Sequence, residues 1–314
     1  MGNTPPSTDA DIDSMLGETF AKVGLSPEVL EQTARLQAML DESEQARKAL
    51  IDPREKAVRF HALSKFAMSG AHYLHACQGF FADSVAIRIG SGFHAGLFQN
   101  RPVLVYSGVR NGKKWDRFEA AALERNAVVL SEREYATEMA MVDAVRRHDR
   151  AMSLLFDGGA IREQTIEWEI DGRACRATPD SMVPALRSVE LKSTRNAEPR
   201  ALIRDALRRL YHCQLGWYDD AIEAKYGVRP RESFIVAVEN IAPYNVTVLT
   251  LPAEIREAAQ RANRLWWEQL RVAEATGIYP GYVDHDVELV DPYANPDDDE
   301  GGFALTVGGE EITF

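Results

Sequence analysis

RACRATPDSMVPALRSVELKSTR, residues 173–195, places Asp180 ten residues before Glu190 and twelve before Lys192. The acids fall on what read as neighbouring β-strands. Carboxylates converging from paired strands can hold a hard divalent cation, and Mg²⁺ is commonly bound by one or two carboxylates completed by water and substrate phosphate. Side-chain direction repeats every two residues along a strand, so Lys192 shares a face with Glu190. Metal, water and ammonium would then meet where a phosphodiester could lie.

Outward from this stretch, TIEWEI and RACRAT alternate polar and apolar residues around Asp171-Gly172, a favoured two-residue hairpin turn. VELKST is read as the next strand, residues 200–225 as one long helix, FIVAVE and NVTVLTL as two more strands, and 253–276 as a helix. Upstream, Ser131 with Glu134 forms a capping-box signature before an amphipathic helix over 131–156. RPVLVYSG reads as a strand. SVAIRIGSGFHAGLFQ reads as an apolar run, a glycine-rich turn and a helix starting near His94, and residues 57–80 as a helix broken near Ser69-Gly70. A further helix is expected to run to about Leu50, with Leu30, Leu36, Met39 and Leu40 on one face. The order predicts an α/β fold, a mixed central sheet flanked by helices with a helical N-terminal part.

Hydrophobic residues make up 45% and charged residues 27% of the 314, a soluble globular composition with no run long enough for a membrane span. The first residues lack a signal-peptide pattern, and Pro5, Pro6 and the acidic run weaken a lipidation reading of Met1-Gly2. Cys77, Cys175 and Cys213 are too few and scattered for a disulfide framework, so a reducing cytoplasm is expected. Adjacent helical residues do not face each other, which argues against a His212–Cys213 dyad. The net charge of −12 conceals its distribution: with −10 in residues 284–314 and −5 in residues 1–50, residues 51–283 carry +3. Acidic ends of this kind are usually solvated. No GxxxxGK[ST] loop supports a helicase-fused role.

The ordered blocks His94, Thr178-Pro179-Asp180, Glu190-Leu191-Lys192 and Gln214-Leu215-Gly216-Trp217-Tyr218 resemble the PD-(D/E)XK nuclease superfamily. Within it the likeness is to RecE-type phage and prophage exonucleases, the exodeoxyribonuclease VIII type. It runs from about residue 60 to Tyr282, including FIVAVENIAPY and YPGY. An acidic leader with an accessory helix over 1–55 and an acidic, disordered tail over 284–314, read from composition, lie outside the resemblance, which implies a nuclease domain over 56–283. It also implies Mg²⁺, with Mn²⁺ as a substitute, bound by His94, Asp180, Glu190 and the backbone carbonyl of Leu191, with Gln214 and Tyr218 lining the site. The implied activity is 5′→3′ degradation of double-stranded DNA ends in a bacterial host cytoplasm, by a ring-like homo-oligomer that threads DNA, beside a single-strand annealing partner.

Each residue has a plainer reading. Asp180 could be a turn aspartate after Pro179, and Glu190 could be answered by Lys192 alone, because an uncompensated buried carboxylate is costly. Lys192 would orient or help deprotonate the attacking water and stabilise charge on phosphate. His94 alone would be a core or capping histidine, Gln214 and Tyr218 ordinary helix packing, and Glu163 at most an outer-shell acid. Arg200, Arg204 and Arg208 recur every four residues, preceded by Arg195, and suit phosphate contacts or a solvated helix face. The same site would serve a structure-specific or restriction-type endonuclease. A non-cleaving DNA-binding module is the alternative from another class.

Overall fold

The structure, a computed structural model, describes residues 52–79 and 84–283, the backbone of 304–307 and 310–313, and the helical positions Gln32 and Arg35. The expected leader helix otherwise lies outside the described residues, as does most of the acidic tail.

The described chain begins with β1 (Val58–Arg59), α1 (Phe60–Leu63), a 3-10 turn over Ser64–Ala67 and α2 (Gly70–Cys77). The expected break falls where Ser69 caps α2 by accepting from the His72 amide at 3.3 Å. The first half is not one helix, because Val58 and Arg59 pair in parallel with Cys175 and Arg176 further along the chain. Next comes α3 (Val85–Phe98), one continuous helix capped by Ser84. The glycine-rich turn expected there is absent. A Cβ on Gly92 would lie 2.7 Å from Leu130 Cδ1, so this glycine serves close packing and not a bend.

A small parallel pair, β2 (Val103–Val105) and β3 (Val128–Leu130), flanks α4 (Lys113–Glu124). The capping box of Ser131 and Glu134 opens α5 (Glu132–Arg146) as expected. That helix ends early, because His148 caps a separate α6 (Asp149–Phe156) through Nδ1, which accepts from the Ala151 amide at 3.2 Å.

Strands β4 (Ile161–Arg162), β5 (Ile166–Ile170), β6 (Arg173–Ala177), β7 (Ser181–Val183) and β8 (Arg187–Thr194) follow. The hairpin at Asp171-Gly172 forms as read, with Ile170 opposite Arg173. It joins β1 in a three-stranded sheet of its own. The long helix expected over 200–225 is two: α7 (Pro199–Arg208) and α8 (Tyr211–Tyr226). Leu210 breaks it at φ 60°, a left-handed conformation held while its side chain packs against the core. Strands β9 (Glu232–Glu239) and β10 (Val246–Thr250) and α9 (Ala253–Thr276) complete the domain. In the tail, β11 (Ala304–Val307) pairs with β12 (Glu310–Thr313) in antiparallel register.

The central sheet has the order β10-β9-β8-β7-β4, parallel between β8 and β9 and antiparallel elsewhere. It is mixed and helix-flanked, as expected. Val189 and Leu191 of β8 point into one apolar cluster with Phe93, Met141 and Val236. A second cluster gathers Trp217, Trp266, Trp267, Leu215 and Ile166 around α8 and α9. Burial of side chains of this size stabilises by about 1.5–3 kcal/mol each. Strand β8 therefore lies fixed between two cores.

Candidate active site

Three strands of the central sheet deliver three carboxylates to one end of it. Asp180 immediately precedes β7, and Ser181 is opposite Val189, so Asp180 comes alongside Glu190. Strand β7 stops there, and the Asp180 side chain takes over the ladder: Oδ2 accepts from the Leu191 amide at 2.6 Å. Glu163 follows β4 directly, and its amide donates to the Asp180 carbonyl at 3.2 Å. Its φ of 49° is a left-handed conformation uncommon outside glycine, held here by the surrounding contacts.

His94 reaches this group from α3. Its Nδ1 lies 3.3 Å from Asp180 Oδ1 and 3.4 Å from Glu163 Oε1. Ligand atoms of His94, Glu163 and Asp180 all lie within 4.8 Å of one another. Glu190 is buried, and its Oε1 pairs with the Lys192 ammonium. Its Oε2 is buried without a hydrogen-bond partner. An orphaned carboxylate oxygen is costly in a protein interior, and a cation beside it would remove that cost. One imidazole and several carboxylate oxygens fit a divalent metal of the Mg²⁺ or Mn²⁺ kind.

The electrostatics are tightly coupled. Burial opposes charge on His94, but the Asp180 and Glu163 carboxylates outweigh it and push its pKa up to about 10. Burial likewise raises Asp180, yet His94, Lys192 and the Leu191 amide hold it below the usual carboxylate range. At Glu190 burial and the neighbouring Asp180 charge prevail over Lys192, pushing it up to about 7. Burial disfavours the Lys192 ammonium, but Glu190 and Asp180 hold its pKa above the ordinary value. Lys192 thus presents a cation to the cleft.

Lys192 Nζ also donates to Gln214 Oε1 at 2.9 Å, and Gln214 Nε2 donates to the Tyr218 hydroxyl at 2.7 Å. The i, i+4 pair expected on one helix face is therefore present on α8. Lys192 Nζ stands 4.6 Å from the centre of the Tyr211 ring. A cleft of about 440 Å³ opens over these groups, lined among others by His94, Arg101, Glu163, Glu190, Lys192 and Tyr211.

The arginines fare differently. Arg195, Arg200, Arg204 and Arg208 are all exposed, the last three on α7, a helix separate from the one that carries Gln214 and Tyr218. Arg208 pairs with Asp205 at 2.8 Å, and none of the four lines the cleft over Glu190. One expected residue sits closer in than expected, and Asn100 was not foreseen. Glu163, expected in an outer shell, stands within ligand distance of His94 and Asp180, and Asn100 donates to its Oε2. No helix among the described residues is long and apolar enough to cross a membrane.

A family described as a PDDEXK-like domain of unknown function (DUF3799) matches residues 60–282. Among solved structures, a candidate exonuclease from Eubacterium rectale aligns at a TM-score of 0.53 and 13% identity, over 81% of this chain and 97% of that one. At that identity the likeness is one of fold. A phage-related exonuclease from Haemophilus somnus 129PT aligns at a TM-score of 0.29 and 11% identity, covering 71% of this chain and 99% of the other. No curated protein matches the chain in sequence.

Proposed function

The chain belongs to the PDDEXK-like family, and from that premise we propose that it is a divalent-metal-dependent deoxyribonuclease acting on duplex ends. The observation that carries this reading is the group of His94, Glu163 and Asp180, with the buried, unpartnered Glu190 Oε2 and its partner Lys192 on the same cleft.

His94, Glu163, Asp180 and Glu190 would hold Mg²⁺ or Mn²⁺, with the Leu191 carbonyl as a further ligand. When bound, such a metal activates water and stabilises charge on a phosphate. Lys192 contributes a fixed positive charge toward the oxygen on which negative charge develops. Glu190 Oε1 and Gln214 Oε1 hold its ammonium from two sides, and Tyr218 sets which end of the Gln214 amide faces the lysine. Asp180 braces the strand through the Leu191 amide while turning its other oxygen toward His94.

Degradation from duplex ends in the 5′→3′ direction, generating single strands for phage-type recombination, is the finer reading. A ring-like homo-oligomer and an annealing partner belong to it as well. The supporting test is digestion of a linear duplex labelled at one 5′ or 3′ end, beside a covalently closed circle, with Mg²⁺ and with EDTA. Loss of the linear DNA alone, abolished by Lys192→Ala, is expected, and the order of label release gives the polarity. Cutting of the circle would replace the exonuclease by an endonuclease. No cleavage with Mg²⁺, or with Mn²⁺ in its place, would leave a DNA-binding module.

A further inference from the structure

Lys192 has a second cavity on its other side. A cleft of about 760 Å³ runs from Lys192, Gln214 and Tyr218 across β6 to α1 and α2. Arg59, Lys65, Arg176, Lys192 and Arg209 give its lining five cationic side chains, and no Asp or Glu is among the lining residues. In a chain of net charge −12 this is a marked local reversal. Two of the cations are ion-paired with acids outside the lining: Arg176 with Glu167 at 3.6 Å across the hairpin, and Arg209 with Asp205 at 2.9 Å. Arg59 and Lys65 are exposed. At the rim, the His72 ring lies 5.4 Å from the ring of Tyr282, which is 71% exposed.

We propose that this cleft holds single-stranded DNA, its phosphates on Arg59, Lys65, Arg176 and Arg209 and an unpaired base on Tyr282 at the rim. The proposal rests on the nuclease reading above only for what the strand meets at Lys192. A groove of positive charge that tracks a backbone, with a ring for a base, is the chemistry of single-strand recognition. Away from its ends a duplex keeps its bases stacked inside, whereas every base of a single strand can turn a ring face to Tyr282. The arginines of α7, the sequence-based choice for phosphate contacts, lie outside this lining, and Arg209, the residue after the helix, belongs to it.

The test uses the full chain in EDTA, where cleavage cannot intervene, and reads fluorescence anisotropy of a labelled oligothymidylate at several salt concentrations. Arg59→Ala/Lys65→Ala should weaken binding at least about tenfold and reduce the salt slope by about 0.7 for each phosphate no longer neutralised. Tyr282→Ala should weaken it at least about fivefold. Arg200→Ala/Arg204→Ala should bind as the parent does. Should the double variant fold poorly by circular dichroism, the single Lys65→Glu is expected to show the same direction. Parent-like affinity in both cleft variants would overturn the proposal, as would weakening confined to the α7 variant. A blunt duplex or an oligouridylate that binds more tightly than oligothymidylate would also overturn it. If cleft-dependent binding is seen while no metal supports cleavage, the nuclease reading fails and the groove stands.

Discussion

Lys192 and Gln214, 22 residues apart on β8 and α8, are joined by a 2.9 Å hydrogen bond from the ammonium to the amide oxygen. Because the amide nitrogen is engaged by Tyr218, the oxygen is the end that faces the lysine. Gln214→Ala should therefore lower kcat by about tenfold to a hundredfold with KM nearly unchanged, the pattern of a residue that acts only in the transition state. Tyr218→Phe should cost less, about threefold to tenfold. Steady-state cleavage of a linear duplex measures both, and parent-like kcat in Gln214→Ala would remove this residue from the site.

Glu163 is expected to bind metal as directly as Asp180 does. Mn²⁺ should raise the Tm of the parent protein, since a ligand that binds only the folded state stabilises it by mass action. Asp180→Asn and Glu163→Gln should each weaken Mn²⁺ binding about tenfold or more by calorimetry. A Glu163→Gln variant with unchanged affinity would return that residue to an orienting role. His94 carries a proton before metal arrives, so binding should release it and affinity should fall as pH is lowered.

Glu138 gives the fold a pH dependence of its own. It is 1% exposed, its Oε2 has no hydrogen-bond partner, and a Cβ on Gly96 of α3 would overlap its Oε1. Burial, opposed weakly by Arg146, pushes its pKa up to about 7 from 4.5. The folded state thus binds more protons than the unfolded state between those values, and stability falls as pH rises through the window. Glu138→Gln should unfold at a higher urea concentration than the parent at pH 8, by roughly 2 kcal/mol, with little difference at pH 4.5. Equal midpoints at pH 8 would refute a raised Glu138 pKa.

Asp219 ties α8 to the sheet. It is 1% exposed and accepts from Ser188 Oγ at 2.6 Å, Ser233 Oγ at 3.1 Å and Arg256 at 3.1 Å. Asp219→Ala removes three hydrogen bonds, although Arg256 still donates to the Pro230 and Arg231 carbonyls and Ser188 to Ser233, and should cost about 2–3 kcal/mol in urea unfolding. Asp219→Asn should cost less, and a loss below about 1 kcal/mol in Asp219→Ala would show that the network carries little stability.

Asp180, Glu190 and Lys192 were legible because a charged residue between Val189 and Leu191 contradicts the pattern of a buried strand and demands a reason. The hairpin turn and the capping box are local chemistry and were read directly. What failed was whatever depends on a distant surface. Gly92 looks like a turn residue until Leu130 is seen against it. Leu210 is an ordinary helix former, yet it takes a left-handed conformation between α7 and α8 while packing against the core. Glu163 sits in no motif, and β7 is short enough to hide inside TPDSMVP. The basic cleft gathers residues from β1, β6, α2 and the α7–α8 junction, which no spacing rule connects.

Strand β8 lies in the middle of its sheet, hydrogen-bonded to β7 on one side and β9 on the other, whereas β4 is a two-residue strand at the edge. The acids of the site are therefore seated at unequal depths of mechanical support. Amides around Glu190 and Leu191 belong to the last segment to open in hydrogen exchange, and those around Glu163 to an earlier one. An ion bound across both would staple the loose margin to the stiff centre, so the slowing of exchange on adding metal should be greatest at residues 161–163 and least along β8.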